Sequence, residues 1–214
     1  MSIKKFAAIL CLLGSAVATN ANAAFYNPFG PQQNVNMSTI LNGGWTECYS
    51  ATMGTIIGTN AENILSKCSG GYLMMAGRAT GSDVFQLLAE TTFADATFNT
   101  GTGTQNVHTS NGSDWYFSSN WSWGFADAGT GASLSSCDTS GVSGTDRMCL
   151  HTINFTGGYR IGNNTGLNNS SSFEKVFFVS NGASQADVPE PATIAMFGLG
   201  LLGLAAVRQR STKK

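Results

Sequence analysis

The chain has 214 residues and a formal charge of −1, and only 11% of its residues are charged, against about 25% in an average protein. Its length suits one domain of ordinary size plus short targeting segments. Between residues 24 and 187 there are five lysines and arginines against eleven aspartates and glutamates. Nucleic-acid binding needs clustered cations opposite the phosphates, so this acidic balance excludes it.

The first 23 residues are typical of a cleavable export signal. Lys4 and Lys5 precede an apolar run at 6–18, and small residues follow at Ala21 and Ala23. A membrane-spanning helix is the alternative, but it needs about 20 apolar residues and the run is shorter. We therefore predict a signal peptide at 1–23, removed by signal peptidase during export.

The next part of the chain is predicted to be a mainly β domain. Residues 24–43 are interpreted as an irregular leader and 44–180 as the globular body. A capping-box spacing at Thr59 and Glu62 predicts one short helix that ends at Cys68. Short apolar or alternating runs between Gly, Asn and Ser turns predict a β-sandwich or barrel-like single domain, with strands at 44–50, 72–79, 84–91, 115–117, 121–125, 150–155 and 176–179.

Cysteine usage agrees with export. Cys11 lies inside the signal, which leaves four cysteines in the body: Cys48, Cys68, Cys137 and Cys149. An even number in an exported chain predicts disulfides, and a zinc site is less favoured because no spacing is Cys-x-x-Cys. Three pairings are open, and chain proximity favours Cys48 with Cys68 and Cys137 with Cys149.

Aromatic residues between the predicted strands offer a candidate glycan-binding surface. Trp115, Tyr116, Trp121 and Trp123 have flat apolar faces suited to stacking on sugar rings. The competing interpretation is a hydrophobic core, because Trp121, Trp123 and Phe125 alternate and point to one face of a strand. The sequence favours the core.

Sites for ions and catalysis are sparse. Asp138 and Asp146 flank a loop rich in oxygen ligands, which is the speculative calcium site, and no other cofactor is predicted. His108 is expected in an exposed loop and His151 in a strand, and no catalytic constellation is recognised around either.

The C-terminal tail departs sharply from the polar body. After a linker at 181–187, residues 188–214 begin Val188-Pro189-Glu190-Pro191, continue through an apolar stretch and end in a basic cluster with Arg208. Such a stretch can lodge in a bilayer while the basic end resists translocation. Its glycines weaken it as a permanent spanning helix.

This layout resembles the PEP-CTERM sorting signal. The resemblance implies a hydrophobic sorting helix, recognition of Pro189, Glu190 and Pro191 by an exosortase, and transient anchoring in the inner membrane of a Gram-negative bacterium. It further implies processing of the tail and delivery to the cell surface or the exopolysaccharide matrix.

The body resembles an uncharacterised cysteine-containing domain of exported bacterial proteins. The matching segments are 44–48, 73–82, 121–126, 149–152, 157–162, 166–168 and 173–176. The resemblance implies no activity. Relatives carry cysteines where this chain has Gly77 and Ile161, so we expect a third disulfide to be absent and Ile161 to pack beside Gly77.

Two functions follow as expectations. The first is a non-enzymatic surface or matrix protein that interacts with exopolysaccharide. The alternative is an extracellular carbohydrate-active enzyme that uses paired carboxylates such as Asp114 and Asp127, since glycosidases hold two carboxylates across a cleft.

Overall fold

The computed structural model describes residues 24–102, 105–132, 137 and 144–182, which contain eleven strands, three short α-helices and one 3-10 turn. The signal peptide, the tail and Asp138 lie outside these residues. The strands are β1 Val35–Asn36, β2 Thr46–Thr52, β3 Tyr72–Ala79, β4 Val84–Phe85, β5 Leu87–Thr92, β6 His108–Ser110, β7 Ser113–Phe117, β8 Ser122–Asp127, β9 Met148–His151, β10 Gly158–Ile161 and β11 Phe173–Ser180. The helices are α1 Met37–Asn42, α2 Glu62–Leu65 and α3 Phe93–Ala96.

Two antiparallel sheets form a sandwich, which is one of the two architectures that the sequence predicts. One sheet has the order β2-β11-β3-β5 and the other β10-β9-β8-β7-β6, while β1 and β4 pair separately. Side chains from both sheets meet in one buried cluster, including Leu73, Met75 and Phe177 from the first sheet and Trp123 and Phe125 from the second. The alternation of large side chains along each strand brings them to this inner layer.

Strand β8 is buried on both faces, because small residues alternate with its aromatic ones. Trp123 and Phe125 point into the inner layer, and Gly124 lies on the opposite face beneath Tyr116. A Cβ atom at Gly124 would lie 2.2 Å from the carbonyl oxygen of Met148 and 2.5 Å from the Tyr116 hydroxyl. Only glycine allows this close approach.

The strand predicted at 176–179 is confirmed as β11, which lies inside the four-stranded sheet. Residues 174–178 are buried and the strand pairs with both β2 and β3. Its outer face packs Val176 and Phe178 against a second cluster that includes Ile40 of α1 and, partly buried, Phe25 and Tyr26. The interpretation of 24–43 as irregular is therefore wrong in part: β1 and α1 form within it, because its apolar side chains cover the outer face of the four-stranded sheet.

The predicted helix near Cys68 is present but shorter and differently started. A 3-10 turn at Thr59–Ala61 leads into α2, and no side chain caps either segment. Asn60 and Ala61 have φ values of 58° and 54°, so the backbone kinks where a capping box would need a regular start. The prediction of a single helix is wrong, because α1 and α3 are also present.

Both disulfides have the pairing that chain proximity favours. Cys48 of β2 is bonded to Cys68 just after α2, and Cys137 is bonded to Cys149 of β9. The first ties the helical segment to an edge strand. The second ties the long β8–β9 connection to the outer face of the five-stranded sheet, where Tyr116 and Ala132 also pack.

Gly77 and Ile161 are neighbours across the sandwich. Gly77 lies within β3 rather than in a turn, and Ile161 ends β10. A Cβ atom at Gly77 would lie 2.7 Å from Cδ1 and Cγ1 of Ile161. The isoleucine thus fills the space that a side chain on Gly77 would occupy.

We expect Gly77→Ala to destabilise the fold by about 1–3 kcal/mol, because the added methyl group overlaps Ile161 in a packed core. In the double variant with Ile161→Val, the two changes should cost less than the sum of their separate effects. Urea unfolding of the three variants measures both quantities.

The matched control is Gly71→Ala, whose Cβ would lie 3.6 Å from its nearest neighbour. Equal destabilisation by Gly77→Ala and Gly71→Ala would contradict the packing argument.

Candidate functional site

Three of the four predicted stacking residues belong to the core. Trp115, Tyr116 and Trp123 have no exposed surface, and the indole Nε1 of Trp123 donates to the carbonyl of Ala96 at 2.8 Å. A sugar ring cannot stack on a fully buried side chain, so these three do not form the platform. Trp121 alone is half-buried, because it precedes β8 instead of continuing its alternation.

Trp121 belongs to a set of connected loops at one end of the sandwich, which we call the loop end: residues 53–59, 118–121 and 152–157. The backbone N–H of Trp121 donates to the Thr152 hydroxyl at 2.8 Å. The N–H of Thr59 donates to Oδ1 of Asn154 at 3.1 Å. Gly158, which begins β10, donates its N–H to the carbonyl of Met53 at 2.7 Å.

Apolar side chains on this loop end face solvent. Phe155 is 78% exposed and Ile56 is 40% exposed, and Trp121 lies on the connected turn. Exposed aromatic groups held on ordered loops are typical of interaction surfaces rather than of folding cores. The sequence missed Phe155 because the alternation up to residue 155 was interpreted as a strand, whereas β9 ends at His151. Ile56 lies between β2 and α2, where no local pattern indicates exposure.

A buried lysine, Lys175, bonds to the backbone of the loop end from the interior of the sandwich. Lys175 of β11 has no exposed surface, and its Nζ donates to the carbonyl oxygens of Thr52, Met53 and Thr55 at 2.7, 3.3 and 2.6 Å. Burial lowers the pKa of Lys175 to about 7. The three carbonyl acceptors act in the opposite direction, because they bond to the protonated amine.

The three arginines of the described residues are also buried. Arg147 and Arg160 are buried and donate to backbone carbonyls, among them Gly131 and Gly144. Arg78 forms a buried ion pair with Glu174 across β3 and β11.

The described surface is therefore strongly acidic. Lys67 is the one lysine or arginine with an exposed side chain in residues 24–102, 105–132 and 144–182, whereas the exposed or half-exposed acids there are Glu47, Glu62, Asp83, Asp95, Asp127 and Asp146. This surface repels polyanions.

The carboxylates suggested for catalysis differ in environment. Asp114 is 3% exposed, and its oxygens accept from the Thr109 hydroxyl at 2.6 Å and the Gly129 N–H at 2.8 Å. Asp127 is exposed at the end of β8. Asp114 thus links β7 to β6 and to the turn after β8, and both of its oxygens are engaged in doing so.

An aspartate–histidine pair that the sequence did not predict lies beside α3. His108 is in β6, half-buried, and its Nε2 lies 2.7 Å from Oδ1 of Asp95. Asp95 also accepts from the hydroxyls of Thr92 and Ser110. The hydrogen bond from Thr92 is the largest cause of a lowered pKa of Asp95. Burial acts to raise this pKa, and the hydrogen bonds with His108 and Ser110 lower it further. Ser110 bonds to the aspartate and not to the imidazole, so the order is not that of a serine hydrolase.

The calcium hypothesis is only partly covered by the structure. Asp146 accepts from Nε2 of Gln33 at 2.7 Å, and Asp138 lies outside the described residues. Within the described ranges, no three His, Cys, Asp or Glu side chains gather as a metal site. Calcium binding by Asp138 and Asp146 stays a prediction.

A buried acid lies under the leader on the far side of the four-stranded sheet. Glu90 is 1% exposed, and its Oε1 accepts from Nδ2 of Asn111, which also donates to the carbonyl of Pro28. Its Oε2 has no partner among the described residues. Burial raises the pKa of Glu90 to about 7, although the Asn111 bond opposes this.

Comparison with known proteins identifies the tail. Residues 187–211 match the PEP-CTERM protein-sorting motif. The chain is thus an exported protein that an exosortase sorts to the cell surface or the extracellular space. Neither a curated protein nor a solved structure matches it. In the part that the structure describes, no helix is both long and apolar enough to cross a bilayer.

We expect Lys175→Met to lower the free energy of unfolding by about 2 kcal/mol, because the Thr55 carbonyl and its neighbours lose a buried donor. Amide hydrogen exchange at residues 53–57 should quicken at the same time. Lys67→Met is the control, since that lysine is exposed. Equal effects of the two variants would contradict the role given to Lys175.

Glu90 predicts a pH dependence of stability. The pKa of Glu90 is about 7 in the folded state against 4.5 for an ordinary glutamate, so the folded state keeps a proton that the unfolded state releases between these values. Its contribution is therefore complete below pH 4.5 and is lost as the pH rises through 7. Glu90→Gln should match the wild type near pH 4 and exceed it by about 1–3 kcal/mol at pH 8.

Denaturant unfolding across this pH range tests the sign. Glu47→Gln on the exposed face of β2 controls for loss of a negative charge. A wild type whose stability does not fall relative to Glu90→Gln between pH 5 and 8 would disprove the assignment.

Proposed function

We propose that the mature protein is a non-enzymatic component of the cell surface or exopolysaccharide matrix, where its sandwich contacts matrix polysaccharide. The observation that carries this proposal is the PEP-CTERM motif at 187–211. It routes a disulfide-bonded domain to the cell surface or the extracellular space, where polysaccharide is a candidate partner.

The route has three steps. Signal peptidase removes residues 1–23, the apolar part of the tail lodges in the inner membrane, and the exosortase acts at Pro189, Glu190 and Pro191. The two disulfides suit the oxidising space outside the cytoplasm, where such bonds persist.

Two features of the body support a binding role. The loop end carries Phe155 and Ile56 in solvent on loops fixed by hydrogen bonds. Asp114 uses both carboxylate oxygens to bond to β6 and to the turn after β8, which favours a structural role over proton transfer for that residue.

The alternative is a carbohydrate-active enzyme. Its specific support is the Asp95–His108 pair, since an imidazole oriented by a carboxylate can act as a general base. In that case turnover should fall by about 100-fold or more in Asp95→Asn.

One experiment separates the two functions. The exported chain, solubilised in mild detergent, is applied to immobilised exopolysaccharide of the producing cell, and the release of reducing ends is followed in parallel. We expect retention without release. Release that depends on Asp95 would replace the binding role with the enzymatic one, and neither retention nor release would contradict both.

A further inference from the structure

The loop end has the chemistry of a sugar-binding surface. Phe155 is 78% exposed and lies on the same connected loops as half-buried Trp121. Aromatic rings lose little entropy on binding and present flat apolar faces, as the apolar face of a pyranose ring requires. Ile56 adds a third apolar contact.

Polar groups suited to hydroxyls surround these side chains. Asn154 is exposed and uses its Oδ1 to accept from Thr59, and its Nδ2 has no partner among the described residues. Asn120 is exposed on the turn before Trp121, with a φ of 58°. A carboxamide can both donate and accept a hydrogen bond, so it suits a sugar, whose hydroxyl groups do the same.

The loop end is held in place before any ligand arrives. The ammonium group of Lys175 bonds to the carbonyls of Thr52, Met53 and Thr55, and Asn63 donates to the carbonyl of Ile56 at 3.4 Å. A surface that is ordered in advance avoids part of the entropic cost of binding.

Charge decides which polysaccharide fits. The described surface exposes one lysine or arginine, Lys67, against six acids, and Glu62 lies beside Gly58 of the loop end. An acidic polymer would be repelled. The exposed side chains of the loop end itself carry no charge: Thr55, Ile56, Asn120, Asn154 and Phe155.

We propose that the loop end binds an uncharged polysaccharide, with Phe155 and Trp121 stacking on sugar rings and Asn154 bonding to hydroxyls. This inference rests on the proposed function and assigns it a ligand class and a site.

Affinity electrophoresis of the full exported chain in mild detergent tests the proposal. The gels contain galactomannan, mixed-linkage β-glucan or dextran as uncharged polymers, alginate as an acidic one and chitosan as a cationic one, all at physiological ionic strength. We expect retardation by at least one uncharged polymer. Phe155→Ala and Trp121→Ala should raise the dissociation constant by about tenfold or more.

Phe29→Ala is the matched control, because Phe29 is also 78% exposed but lies in the leader; it should change the constant by less than about twofold. Since Trp121 is half-buried, its variant is also checked by thermal unfolding, and Phe155→Ala decides the case if Trp121→Ala unfolds.

The outcomes separate this inference from the proposed function. If the wild type binds a polysaccharide but Phe155→Ala and Phe29→Ala weaken the affinity equally, the assignment of the site is wrong. The same holds if neither variant weakens the affinity. In both cases the proposed function stands. Retardation by alginate or chitosan alone overturns the ligand class. Failure to bind any of these polymers and the producing cell's own exopolysaccharide overturns both.

Discussion

The buried ammonium group of Lys175 joins the central strand β11 to the loop that follows β2. The side chain starts between Ala51 and Gly77 on the central strand, faces the inner layer and ends on the carbonyls of Thr52, Met53 and Thr55. A buried charge is stable only where several dipoles compensate for the lost water. The loop that supplies those dipoles is thereby fixed, and with it the position of Ile56.

The burial of positively charged side chains also determines the charge of the protein surface. Arg78, Arg147, Arg160 and Lys175 all serve as internal donors, so the acids on the surface are left almost without counterparts. Interior polar bonding and the acidic surface therefore have one origin. Such a surface favours solubility outside the cell and selects against acidic polymers as partners.

The two polar pairs that the sequence missed share a cause, which is contact between residues of different strands, helices or turns. Asp95 and His108 meet because β6 folds against α3, and Glu90 meets Asn111 and the leader because β5 lies beneath them. Neither pair has a local motif. Burial also changes their chemistry, since the pKa of Glu90 rises because its carboxylate loses water.

The sequence by itself determined the sorting motif, the mainly β fold and most strand positions, and it favoured the disulfide pairs that the structure shows, because each depends on local composition, spacing or alternation. It also anticipated Ile161 beside Gly77 through resemblance. Only the tertiary structure decided which aromatic residues face solvent. The face of a strand that becomes core depends on what covers it, and the partners of Trp115, Tyr116 and Trp123 come from distant segments, whereas Phe155 is left uncovered where its strand ends early.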